Sequence, residues 1–395
     1  MEDLTKIVEK IAIENGFKNF ELRFEFGSDL GFVGLLKKCR IIEQNRELSV
    51  FCKFLPQDEE QNKKLNSFLL FEREVFIYNE LFPEFIKLQL ENGFKIDDSD
   101  GFWSFPKCYY ANYDKNNPNK SVIIMEDLTK KNFEVKDKFI PSDFQHTSKL
   151  FIELAKLHGL SLALKIKKPE IFDKFKNLKN SMCFVMTTDS MKNIAPRNCQ
   201  LICELFKDNQ KVVKKLDKIK NCIWEKVAET LEAATKTEQF SVICHGDVWI
   251  NNVLYNYSDK DKQIIKDIKL VDWQITYHGS LGSELVYYLY CCVDKCVRKK
   301  YQNELFELYY LRMKQMLSRF GLEMMSYEDF ERQLQVYGIY AFAMANFAIP
   351  LLCKYPEKLF DDKNAILSDE EKNFVVDYEK RMKDIILEMI DMKIL

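Results

Sequence analysis

The chain of 395 residues lacks any excess of basic charge: 59 Lys and Arg stand against 61 Asp and Glu, a formal net charge of −2. Its lysines are interleaved with acids, as on a solvated surface, which argues against nucleic acid as a partner. A signal-peptide core is missing too, since the opening MEDLTKIVEKIAIENGF reads as an amphipathic helix. No Cys-x-x-Cys pair occurs among the twelve cysteines, and no histidine completes a zinc set around Cys199 and Cys203 or Cys292 and Cys296. Reduced thiols that pack as small apolar residues, in a cytoplasmic protein, are therefore expected. The longest apolar run, Val336 to Cys353, is broken by Gly, Asn and Pro, so no membrane span is expected. There is no internal repeat and no low-complexity linker. Apolar residues at 47 % and charged residues at 30 % suit a folded globular chain.

Taken in order, residues 1 to 19 suggest a helix, followed by strand-like ELRFEF and LLKKCRII around a glycine cluster, and then ELSVFCKFLP. Leu65 to Phe85 has helical apolar spacing, and Pro83 is expected to end it. FPKCYYANYD and SVIIMEDL read as two further strands. From Pro141 the texture is helical to the end, interrupted near residues 241–274 by two apolar strand-like runs. The expectation is an α+β protein of bilobal, protein kinase-like fold. A small β-rich N-terminal lobe would occupy 1–128, a hinge would lie near Glu126 to Thr129, and a large, mostly helical C-terminal lobe would occupy 129–395.

Chemistry concentrates in SVICHGDVWINNVLYNY (Ser241 to Tyr257) and IKLVDWQ (Ile268 to Gln274). An acid, an asparagine five positions on, and a second acid after a strand form the set that phosphoryl transfer uses for a base and two Mg²⁺ ligands. Asp247 takes the base position. Asn252 and Asp272 offer the hard oxygens that Mg²⁺ prefers. His245 is expected to support the loop by hydrogen bonding. Upstream, Lys53 on a strand and Glu74 in the next helix have the order of a phosphate-anchoring ion pair, with Glu72 and Glu80 as rival carboxylates. The cluster FGSDLGFVG carries Gly27, Gly31 and Gly34. It is either a phosphate-covering turn, with Ser28 nearest the phosphate, or a plain hairpin. VIIMEDL resembles a strand-to-hinge crossing where backbone groups hold adenine, which points to Glu126 and Leu128. His158 lies on the apolar face of a helix and reads as a buried structural residue.

Together, CHGDVWINNVLY, IKLVDWQ, MEDLTKKNF, FEREVFIYNELFP, FCKFLP and LAKLHGLSLA resemble the ecdysteroid kinase-like family, within the wider aminoglycoside and choline phosphotransferase group. The resemblance implies ATP, Mg²⁺ and transfer of the γ-phosphate to a hydroxyl of a small molecule, steroids and other lipophilic alcohols among the acceptors. Two alternatives stand beside it: a choline- or aminoglycoside-type kinase, and a catalytically inactive nucleotide-binding pseudokinase. The chain departs from the family pattern at Trp273, where many relatives have Phe, and at Glu284, where they usually have Asp. Oligomeric state leaves no signature in the sequence.

Overall fold

The computed structural model describes residues 2–26, 35–56, 62, 66–189, 191–237, 240–259, 262, 264–362, 364–392 and 394–395. The chain separates into two compact units. The smaller comprises Met1–Lys87, Trp103–Glu134 and Leu254–Ile275, and the larger Leu88–Phe102, Val135–Val253 and Thr276–Leu395. A single cut near residue 128 therefore misses two crossings. Residues 88–102 pack with the larger unit, and residues 254–275 return to the smaller one because their strands pair there. The α+β class and the division into a β-rich and a mostly helical part are as expected.

In the smaller unit, β1 (Glu21–Phe26), β2 (Leu35–Glu43) and β3 (Arg46–Phe54) run antiparallel, joined by β4 (Cys108–Asn112) and β5 (Val122–Glu126) in the order β1-β2-β3-β5-β4. α1 (Glu2–Glu14) lays Val8, Ile11 and Ala12 on one face of this sheet, against Cys39, Ile41, Val50, Cys52, Val122 and Ile124. Each buried Val and Ile in this set contributes roughly 1.5–3 kcal/mol of transfer free energy, so this face anchors β3. A second sheet has the order β6-β8-β9, from β6 (Phe133–Val135), β8 (Val253–Tyr257) and β9 (Ile265–Leu270).

Pro83 does not end its helix. α2 (Ser67–Phe76) passes through a π-helical turn at Ile77–Leu81 into α3 (Phe82–Glu91). Proline lacks an N–H and clashes with the carbonyl four residues back. The wider turn, in which the Phe82 N–H reaches the Ile77 carbonyl, absorbs both defects.

The larger unit is built on α4 (Phe144–Lys167), which Asp143 caps by accepting the His146 N–H at 3.0 Å. Nearly every α4 residue from Leu150 to Leu164 is buried. α5 (Ile194–Leu205), α6 (Gln210–Ile219) and α7 (Ile223–Thr237) follow. A two-stranded antiparallel ribbon pairs β7 (Ser241–Cys244) with β10 (Tyr277–Ser280). Behind it come α8 (Leu281–Cys292), buried along its whole length, then α9 (Lys295–Arg319), α10 (Tyr327–Val336), α11 (Gly338–Leu352) and α12 (Asp369–Asp391). The aromatic runs in this region are core: Tyr287, Tyr288, Tyr290, Tyr337, Tyr340 and Phe342 are all buried. Among the described residues no single helix is long and apolar enough to cross a membrane, though α10 and α11, bent by 45°, pass that test of length and composition together. All twelve cysteines are free thiols.

Candidate active site

Strand alternation decides where Lys53 points. Val50 and Cys52 enter the core with α1, so Lys53 stands on the other face of β3. There its ammonium lies 2.6 Å from Glu74 Oε2, brought by α2, and 2.6 Å from Asp272 Oδ1, in the turn after β9. Glu72 is exposed and Glu80 half-buried, so of the three helix carboxylates it is the wholly buried Glu74 that meets Lys53. Burial by itself would lower the Lys53 pKa, but Asp272 and Glu74 outweigh it and hold it above the ordinary lysine value. Burial in turn pushes the Glu74 carboxyl up, opposed by the Lys53 charge.

Asp272 holds its backbone at φ 67°, a left-handed conformation that a residue with a Cβ adopts at a cost of about 1–3 kcal/mol. Lys53 at one carboxylate oxygen and Gln274 Nε2, 3.2 Å from the other, fix it in that place. Trp273 is fully buried beside it. Its indole N–H donates to the Leu270 carbonyl at 3.0 Å, and its ring meets Phe82 edge-on at 4.9 Å. The larger aromatic thus leaves no polar atom unsatisfied and the turn undisturbed.

The segment after β5 is pinned by a residue that sequence reasoning passed over. The buried Asp127 carboxylate accepts from Ser49 Oγ at 2.7 Å, Lys38 Nζ at 2.6 Å and the Thr129 N–H at 3.0 Å. Burial would raise its carboxyl, but these donors hold it below the usual aspartate value. Glu126 turns its side chain inward, where it accepts the Lys107 N–H at 2.8 Å, while its own N–H donates to the Lys107 carbonyl at 2.9 Å. The N–H of the buried Leu128 finds no acceptor among the described residues. Asp127→Ala is expected to destabilise the fold by about 2–3 kcal/mol, the worth of hydrogen bonds to a charged group. An unchanged midpoint in urea would contradict that anchoring role. Ser28, with Gly27, Gly31 and Gly34, lies outside the described residues.

In the larger unit, β7 delivers His245, Gly246 and Asp247 in one tight turn. Gly246 sits at φ +88°, a region that a residue with a side chain rarely adopts. The Asp247 N–H donates to His245 Nδ1 at 3.3 Å, the loop-supporting bond expected of this histidine. A 3₁₀ turn at Ile250–Asn252 swings Asn252 back, so that its Nδ2 donates at 2.9 Å to both the carbonyl and the Oδ2 of Asp247. The Asn252 amide oxygen receives no donor among the described residues.

The turn hangs on Glu284, which lies on α8 and is 1 % exposed. One of its carboxylate oxygens accepts the Gly246 N–H at 2.7 Å. The other accepts the His245 N–H at 3.2 Å and lies 2.8 Å from His158 Nε2. His158, on α4 and fully buried, stands 2.7 Å through Nδ1 from the Tyr309 hydroxyl of α9. Burial would raise the Glu284 carboxyl, but His158, His245 and the Gly246 N–H hold it below the ordinary value. It is therefore a carboxylate that clamps the loop backbone. His158, Cys244 and Glu284 also form a metal-compatible trio within 4.8 Å. Their polar atoms are already engaged, His158 with Glu284, and Cys244 Sγ with the Ser280 carbonyl at 3.5 Å. The sequence flagged Glu284 only as a departure, and nothing in it singled out Tyr309.

Set beside known proteins, the chain matches no curated relative. Among solved structures it is similar to a spectinomycin phosphotransferase in complex with ADP and spectinomycin, at 10 % identity and a TM-score of 0.41, with 99 % of this chain and 98 % of that chain covered. It is similar also to an ethanolamine kinase of Plasmodium vivax, at 11 % identity and a TM-score of 0.38, with 91 % and 82 % covered. The profile of the ecdysteroid kinase-like family matches residues 35–322, which include both acids, the asparagine and the lysine–glutamate pair described above. The chain belongs to the ecdysteroid kinase-like family and is, with it, a kinase-type phosphotransferase of small molecules.

Proposed function

We propose that the protein is an ATP- and Mg²⁺-dependent kinase that phosphorylates a hydroxyl of a small molecule. The observation that carries this reading is the Lys53 ammonium held between Glu74 and Asp272 at 2.6 Å from each. A buried cation fixed by a helix glutamate is how a kinase anchors nucleotide phosphates. Glu74 orients Lys53 in that role, and the Glu126 carbonyl and Leu128 N–H present backbone groups to adenine. Asp272 and Asn252 hold the metal through oxygen, the donor type Mg²⁺ takes. Asp247 accepts the hydrogen bond of the acceptor hydroxyl and receives its proton at a carboxylate oxygen.

Three features support the fit. The Asn252 amide oxygen receives no donor among the described residues, while its nitrogen is committed to Asp247. The Asp272 side chain is 29 % exposed, so it retains access to a cation. The Leu128 N–H lacks an acceptor among the described residues. When bound, Mg·ATP supplies the transferable phosphoryl group and neutralisation of its charge.

The reading is tested by thermal denaturation with and without Mg·ATP. Saturation near 100 times Kd stabilises by about 2.7 kcal/mol, so a clear rise in Tm is expected. It should disappear with EDTA and shrink in Lys53→Met, and turnover should appear in a screen of alcohols for ATP consumption. A rise that ignores EDTA, or none at all, would instead favour a non-catalytic protein.

A further inference from the structure

Resting on that reading, the chemistry beside the Asp247 loop bears on which alcohols it takes. Trp249 follows Asp247 by two residues and donates its N–H to the Asp247 carbonyl at 3.1 Å. Its ring is half-buried. Lys138 Nζ lies 6.0 Å from the Trp249 ring and 5.3 Å from that of Phe139. Lys354 Nζ approaches the same Phe139 ring at 4.1 Å and Phe374 at 5.2 Å. Two ammonium groups thus share one phenyl ring, next to the indole of the catalytic loop.

Neither lysine has a carboxylate partner among the described residues, in a chain where lysines such as Lys130, Lys168 and Lys262 are ion-paired. The nearest acid in sequence, Asp137, spends one carboxylate oxygen on the Phe139 N–H at 3.0 Å. Lys354 also holds φ at 51°, a position that favours glycine, just past the end of α11. A lysine kept in a costly backbone conformation, with its charge over a ring and no acid to meet it, points towards function. The loop that carries Lys138 is anchored as well: the Ser142 N–H donates to the Cys292 carbonyl, and the Tyr288 hydroxyl donates to Ser142 Oγ at 2.9 Å.

We infer that Lys138, Lys354, Phe139 and Trp249 form an acceptor subsite for a hydroxylated ring compound that bears an anionic group. The rings take the planar or apolar body, and the two ammonium groups take the anion. Cationic alcohols of the choline and aminoglycoside kind are disfavoured, because they would meet like charge.

The test is a panel of matched alcohols that differ only in charge. Each set has a carboxylate, its methyl ester and an amine, beginning with 4-(hydroxymethyl)benzoate, methyl 4-(hydroxymethyl)benzoate and 4-(aminomethyl)benzyl alcohol. Calorimetric titration of the full chain at low salt should show the carboxylate binding about tenfold tighter than the ester, as two exposed ion pairs of about 0.7 kcal/mol each would give. In Lys138→Gln/Lys354→Gln that preference should fall to about twofold or less, while the Mg·ATP shift stays unchanged. A panel in which no carboxylate binds, or in which ester or amine is preferred, overturns the inference. So does a preference that survives the double substitution. Lysine-dependent binding without ATP turnover would refute the kinase reading and leave this inference standing, whereas turnover of uncharged or cationic members alone would do the reverse.

Discussion

Asp247→Asn is expected to lower phosphoryl transfer by about 10³-fold or more, within the range for loss of a positioned general base, and to leave the fold and the Mg·ATP thermal shift intact. Asparagine suits the test better than alanine because of the geometry. Asn252 Nδ2 donates to both the backbone carbonyl and the carboxylate of Asp247. An amide at position 247 still offers an oxygen to that donor, so the loop keeps its shape while the proton acceptor is lost. Steady-state kinetics should then show kcat falling and KM for ATP little changed, the signature of an interaction made in the transition state. Turnover within tenfold of the native rate would remove Asp247 from the proposed role.

The second large effect concerns stability. Glu284→Ala is expected to destabilise the protein by about 3–5 kcal/mol, because it leaves several buried donors unpaired at about 1–3 kcal/mol each. The Gly246 and His245 N–H groups lose their acceptor, and His158 keeps Tyr309 at Nδ1 but loses its partner at Nε2. Glu284→Asp is a sharper probe. A side chain shorter by one methylene cannot span from the Gly246 N–H to His158 Nε2, so one end of the clamp must open, with an intermediate loss. The pH dependence follows from the depressed carboxyl. A group whose folded pKa lies below its unfolded value contributes stability above the unfolded value, here the ordinary 4.5, and that contribution fades as pH falls through the folded one. Native protein should therefore lose stability below about pH 4.5 more steeply than Glu284→Gln does. Parallel acid profiles for the two would rule out the clamp.

Local patterns carried most of what the sequence shows. Strand-like runs marked β1 to β5, and the helical texture from Pro141 marked α4, because side-chain periodicity is a property of neighbouring residues. The placement of Lys53 opposite Glu74 was readable from order alone: a strand, then a helix, then the Asp-containing turn. Interactions that join distant segments were not readable. Glu284, His158 and Tyr309 come from three helices, 126 and 151 residues apart in their contacts, and each is unremarkable in its own neighbourhood. Asp127 lies inside VIIMEDL, yet a buried aspartate reveals itself only through donors such as Lys38, which lies on another strand. The π turn before Pro83 was hidden for a different reason. Proline signals a break by its local chemistry, and only packing on both sides of it keeps the helix going.

Lys53 bears one further consequence, which turns on valence rather than charge. An ammonium has three protons in a tripod, and here Glu74 and Asp272 occupy two of them. One direction is left, so the side chain can meet a single additional oxygen without releasing either carboxylate. Arginine would preserve the charge but spread its donors in a flat fork. Two carboxylates from separate elements and a third oxygen define a pyramid that such a plane cannot satisfy, which makes a lysine, and not simply a cation, the residue this position requires.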